Sequence, residues 1–330
     1  MKKLLIILLL LISYSSFCQD YEYAKHIVDT LTSARFWGRG YTNGGISKTG
    51  SFLSEQLQSS GLQPMRGNSF FQTFSFPVNT FPGNMELSIN GKQLVPGRDF
   101  IVSPNSRSVK AKATLVQKDS THYINSSKKI ILSITNKLTW SVAREVADYT
   151  SIEVDKKAIN KRPRNLEVNI ENKFIKDFKA SNVCAMVKGT VKPDSLILFT
   201  AHYDHLGGMG RSTYFPGAND NASGVSLLLS LAKYYAANPQ RYTIGFICFA
   251  GEEAGLLGSK YFTENPLVPL SSIRFLTNVD LVGTGDEGIT VVNATEFPKE
   301  FMLLNTINDD GKFLVKINAR GKAANSDHYW

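Results

Sequence analysis

Cysteine is scarce in this chain of 330 residues: Cys18, Cys184 and Cys248 are all it has. With so few, cysteine offers no usable ligand set for a metal site. Cys184 and Cys248 lie in the apolar strand-like runs NVCAMV and IGFICFA and read as buried free thiols rather than as a disulfide. Long apolar runs are missing too: past the N-terminus no stretch is long enough to span a bilayer. There is no internal repeat, no low-complexity tract, no nucleic-acid motif and no interleaved aromatic platform. A nucleic-acid partner is therefore not expected. The net charge of +9 reads as a solvated basic surface, dispersed except for DKKAINKRPR at 155–164, with at most weak attraction to anionic surfaces. Histidine is also sparse, at five residues, so each can be weighed singly.

What is present begins with a leader. MKKLLIILLLLISYSSFCQD has Lys2 and Lys3, an apolar run from Leu4 to Ile12, then small and polar residues, which is the three-part pattern of a secretory signal peptide. Cleavage ahead of Gln19 would remove residues 1–18 and lower the charge from +9 to +7, since Lys2 and Lys3 leave without an acid. Export to a periplasmic or extracellular space is the expectation. A retained anchor, or acylation of Cys18 behind bulky Phe17, are the weaker alternatives.

The mature part has an ordinary globular composition, 42% hydrophobic and 20% charged. Tyr23, Ile27, Val28 and Leu31 share one face at helical spacing, predicting a helix over 21–34. A glycine-rich loop, WGRGYTNGG, leads to a second helix over 46–60 that Gly61 ends. From about 76 to 180 the character turns β-rich: MELSINGKQL signals a hairpin at Asn90-Gly91, ATLVQ and KKIILSIT read as strands, and one helix is expected at about 139–149. This block reads as an insertion with its own small sheet. From Val183 onward DSLILFTAH, RYTIGFICFA and IRFLTNVD read as buried strands, and they alternate with helices starting near Ser223 and in AGLLGSKYF. The expected fold class is α/β: a doubly wound, mixed and mostly parallel sheet with helices on both faces. Residues 19–75 and 181–330 form the main domain.

Four polar clusters stand at or just after those strands, where such sheets bind ligands. His202 and Asp204 in AHYDHLG are i and i+2, so a carboxylate could hold the ring's second nitrogen. Asp220 in PGANDNASG precedes a helix, where Asp220 or Asn221 could simply be its cap. Glu252 and Glu253 in FAGEEAGLLGS are adjacent like charges that call for a positive partner. Asp280 ends FLTNVDLVG, with Asn278 on the same side. His328, in the closing NSDHYW, is either a solvated tail residue or a fifth ligand. Five nitrogen and oxygen donors exceed the need of one catalytic zinc and suit a pair of metals about 3.5–4 Å apart. Zinc fits imidazole plus carboxylate best, with manganese or cobalt as alternatives. Glu252 would then serve as general base on the water held there.

HYDHLG, GANDNASG, GEEAGLLGS, NVDLVG and SDH, in this order, resemble the co-catalytic di-zinc aminopeptidases of the zinc exopeptidase superfamily, which includes glutamate carboxypeptidase and the transferrin receptor. SARFWGRG and GSFLSEQLQSSGLQP resemble that family's opening segments. The resemblance implies two zinc ions per chain: His202 and Asp280 on one, Glu253 and His328 on the other, and Asp220 bridging. It makes Asp204 the residue that orients His202 and Glu252 the base. It implies a peptide or protein substrate cleaved at its N-terminus. A carboxypeptidase, a single-zinc glutaminyl cyclase and a non-catalytic receptor-like relative are the rival readings. Block 76–180 sits where relatives carry a protease-associated domain, with a poor match. Relatives also continue past the last histidine, so the chain reads as a fragment. His26 and His122 lack such context and read as surface or packing residues; His205 is expected to line the cleft without being a ligand.

Overall fold

A computed structural model describes residues 20–283 and 285–330. The leader, 1–18, lies outside the described residues.

The central sheet has six strands: β1 (Gln63–Pro64), β2 (Phe71–Thr80), β3 (Lys173–Val187), β4 (Lys192–His202), β5 (Tyr242–Phe249) and β6 (Ile273–Asn278). They run in the order β1-β3-β5-β4-β6, with β2 also on β3. β4 is parallel to both β5 and β6, while the pairings of β3 are antiparallel. The sheet is mixed, and its parallel part is the trio β5-β4-β6. Register places His202 opposite Phe249 and Thr200 opposite Asn278, so the chain leaves all three strands at one edge.

β5 shows why the sheet forms. Its residues after Tyr242 are all buried and mostly β-branched or aromatic, as a strand covered on both faces requires. Ile244, Phe246 and Cys248 face three helices: α1 (Tyr21–Leu31), α2 (Gly45–Ser59) and α3 (Gly224–Ala237). Ile247 and Phe249 face Phe262 of α4 (Leu257–Glu264) on the other side. Cys184 belongs to this second face and Cys248 to the first, so the two thiols stand on opposite faces of the sheet; both are free and buried.

β2 and β3 pair along most of their length and lead into a second core between Phe81 and Ile170. That core lies between a five-stranded and a four-stranded sheet. The hairpin expected at Asn90-Gly91 is there: both residues have positive φ, 51° and 82°, between Met85–Ile89 and Lys92–Leu94. The helix expected at 139–149 is not. The Trp140 indole donates to Val102 O at 2.7 Å, and Asn79 N donates to Ala143 O at 2.8 Å, so tertiary contacts hold this stretch in an irregular, non-helical path. At the other end of the chain, α5 (Pro298–Gly311) has no buried residue. Among the described residues no helix is long and apolar enough to cross a membrane.

Candidate metal centre

The three parallel strands deliver their loops to one place. His202 is the last residue of β4, Glu252 and Glu253 follow β5, and Asp280 follows β6. Asp220 arrives from the turn before α3. His202 Nε2 lies 3.3 Å from Asp220 Oδ1 and 3.3 Å from Asp280 Oδ1. His205 Nδ1 lies 2.6 Å from Glu253 Oε1. The donors form two groups, His202 with Glu252 and Asp280, and His205 with Asp220 and Glu253, each with its atoms within 4.8 Å of one another.

Asp220 is free to face His202 because Asn221 does the capping. Asn221 Oδ1 accepts from Gly224 N at 3.0 Å and Leu281 N at 3.3 Å, and Asn221 Nδ2 donates to Val279 O at 3.0 Å. One amide thus closes α3 and ties it to the loop that carries Asp280.

The role expected of Asp204 needs correction. The strand ends at His202 and the chain turns, so the side-chain alternation behind that expectation stops there. The backbone carbonyl of Asp204, not its carboxylate, faces His202 Nδ1 at 3.2 Å. A carbonyl only accepts, so Nδ1 carries the proton and Nε2 is left to face the carboxylates. The Asp204 carboxylate is fully buried below. It accepts from Tyr41 Oη at 2.6 Å, Glu252 N at 3.1 Å and Glu253 N at 3.3 Å, and so fixes the backbone of the glutamate pair.

His328 is not brought to Glu253. Its Nε2 faces Ala323 O at 2.9 Å, within its own turn. The imidazole that meets Glu253 is His205, which the motif reading had placed in the cleft without a ligand's role. The C-terminal segment enters the site by other residues. Ser326 Oγ donates to Asp280 Oδ2 at 2.8 Å and accepts from Asn278 Nδ2 at 2.9 Å, and Asp327 Oδ1 accepts from Ser259 Oγ at 2.5 Å. His26 is exposed, and His122 pairs with Asp119 on the surface, as expected.

Sequence reasoning passed over Arg39. It is fully buried, yet all its contacts are carbonyls: Tyr203 O at 2.9 Å, Leu31 O at 3.3 Å, Pro216 O at 2.6 Å, Gly217 O at 2.8 Å and Asp220 O at 3.0 Å. It pins both ends of the segment between β4 and α3. The glycines of the same WGRG stretch let the backbones touch: a Cβ on Gly40 would stand 2.3 Å from Gly207 Cα. The signal was visible, as an arginine between two glycines in the expected loop, but nothing in the pattern said that it would be buried.

The electrostatics call for a cation. Burial, with Asp204, Asp327 and Glu253 nearby, pushes the Glu252 carboxyl up to about 8. Burial opposes a charge on His202, but the hydrogen bonds of Asp220 and Asp280, with the charges of Asp204 and Glu252, outweigh it and raise its pKa well above the usual value. Burial pushes Arg39 down to about 10, and its donors are spent on carbonyls. Nε2 of His202 points between carboxylate oxygens that can only accept, so a proton or a metal ion must stand there. Two imidazoles and four carboxylates, all nitrogen and oxygen donors, fit divalent zinc.

Fold and donor set together are similar to those of the zinc exopeptidases. In sequence, residues 182–329 match the model described as Peptidase family M28. A probable zinc metalloprotease of Leptosphaeria maculans is 37% identical over 114 residues, 33% of this chain and 26% of that protein. Aminopeptidase YwaD of Bacillus subtilis is 33% identical over 125 residues, 37% of this chain and 26% of that protein. The matched stretch thus spans about a quarter of the length of either relative. The solved zinc aminopeptidase BSAP of Bacillus subtilis superposes with a TM-score of 0.66 over 93% of this chain and 81% of its own, at 18% identity, which is a likeness of fold.

Proposed function

We propose that this protein is an exported zinc-dependent exopeptidase, an aminopeptidase that hydrolyses N-terminal peptide bonds at a two-metal site. The observation that carries the reading is the pair of donor groups with Asp220 between them: it belongs with His205 and Glu253, yet its Oδ1 is 3.3 Å from His202 Nε2. His202 and Asp280 would hold one ion, Glu253 and His205 the other, and Asp220 both. Bound zinc supplies Lewis acidity toward the scissile carbonyl.

The chain's own residues do the rest. Glu252, half-buried and in one group with His202 and Asp280, takes the proton of the attacking water and returns it to the leaving amine. Asp204 keeps Glu252 in place through the Glu252 N–H. The leader supports export, and mass analysis of the mature N-terminus tests it: a chain beginning at Gln19 is expected.

The deciding experiment pairs metal analysis with a hydrolysis screen on aminoacyl amides, N-acetylated peptides and dipeptides. Two ions per chain and cleavage that needs a free N-terminal amine are expected. Release of C-terminal residues from N-acetylated peptides would make it a carboxypeptidase. A chain that binds metal without hydrolysing any substrate would place it with the receptor-like relatives.

A further inference from the structure

The two donor groups differ in what supports them. His202 ends β4, and Glu252 and Asp280 stand three and two residues past β5 and β6, so this group comes from three separate strands; His205 and Asp220, in the other group, are the two ends of a single loop between β4 and α3. Ordering a loop costs about 1–2 kcal/mol per residue in backbone entropy, which its contacts must offset. At the base of this loop Arg39 provides them. At the tip they come from the β-rich insertion.

The loop folds into a small hairpin, Gly208–Met209 against Thr213–Tyr214. Met209 is fully buried in the insertion's core, with Leu206 and Phe215 packed on the same cluster. Phe215 stacks on Trp140 at 4.9 Å between ring centroids. Gly210 N donates to Phe81 O at 2.8 Å, and Thr213 Oγ1 to Pro96 O at 3.2 Å. The apolar side chains of the hairpin therefore serve the second core, while its two ends serve the metal centre.

We propose that the insertion is a positioning element for metal binding. The hairpin 206–215 is the strap through which it sets the affinity of the His205–Asp220–Glu253 group, while the strand ends hold the His202–Glu252–Asp280 group without it. The proposal rests on the two-metal reading above.

Cobalt(II) titration of the whole chain tests it, followed by visible absorption and by competition with a chelator. Phe215→Ala removes the stacking on Trp140 at a half-buried position. One ion should bind as in the wild type and the other roughly 10- to 100-fold more weakly, the range for lost support of a metal ligand. Phe215→Tyr keeps the ring and should restore both. Thr213→Val, which cuts only the hydrogen bond to Pro96, should weaken the same ion by a smaller factor, and it decides alone if Phe215→Ala fails to fold. Wild-type affinity for both ions in these variants overturns the proposal, as does equal weakening of both. Fewer than two ions on the wild-type chain would remove the two-metal reading itself, and the proposal with it.

Discussion

The strand-end half of the site and its loop half hold similar donors on different footings. His202 is 1% exposed, its ring fixed by the Asp204 carbonyl and its strand paired on both sides. The Asp220 side chain is 42% exposed, and its backbone carbonyl is held by the Arg39 guanidinium. Rigid strands give a site its precision, and loops give it room for a substrate. The difference predicts where substitutions abolish chemistry and where they only loosen metal.

The largest effect should come from the strand-end half. Glu252→Gln removes the base and keeps the shape, so kcat should fall by roughly 10²- to 10⁴-fold with both metals retained. Steady-state kinetics with metal analysis check it, and full activity in this variant sinks the assignment. The loop half comes next. His205→Ala should lose one of two ions, and His328→Ala neither. Loss in the His328 variant alone would return that ligand to the C-terminal motif.

These two histidines also mark what the sequence made legible. The parallel strands β4, β5 and β6, the helices α1 to α4 and the four acidic clusters could be read, because a covered parallel sheet writes near-continuous apolar runs and its loops follow at their ends. His205 was within the motif HYDHLG, yet spacing alone could not say which way a turn after the strand would aim it. Asp204 was misjudged for the same reason, since alternation holds only while the strand lasts. The 139–149 stretch had a helical look, and Trp140 and Ala143 spend their hydrogen bonds on distant strands instead. Burial of Arg39 depends on five carbonyls from three segments, which no local pattern encodes.

Arg39 therefore offers a sharper break in the comparison. Arg39→Met keeps much of the stem and leaves buried carbonyls without a donor. A loss of about 1–3 kcal/mol is expected for each carbonyl left buried without a donor. If the loop half is the softer one, metal affinity in this variant should fall before global stability does. Denaturant unfolding with and without zinc separates the two. Tyr41→Phe acts on the opposite side: it takes the 2.6 Å hydrogen bond from the Asp204 carboxylate, costing about 1–3 kcal/mol. It should loosen Glu252 and Glu253 together, because Asp204 accepts from both of their N–H groups.

The smallest effect is expected from the floor that both halves share. Cys184 and Cys248 are fully buried on opposite faces of the central sheet, and Cys248 lies directly before Phe249, the residue opposite His202. Burial pushes the Cys248 thiol up to about 12 and raises Cys184 as well, with Cys248 adding to the rise. An unfolded thiol titrates near 8.5, about the lower end of the window that follows. Below that pH both states hold the proton and the thiols' contribution to stability is complete. As pH climbs toward about 12 the unfolded chain loses protons that the native chain keeps, so stability falls. At pH 8 in native buffer neither thiol should react with iodoacetamide, and both should react at the denaturant concentration where the circular dichroism signal collapses. Labelling of Cys248 alone before that point would show the face under α1, α2 and α3 opening by itself, and the strand-end half would lose its claim to be the rigid one.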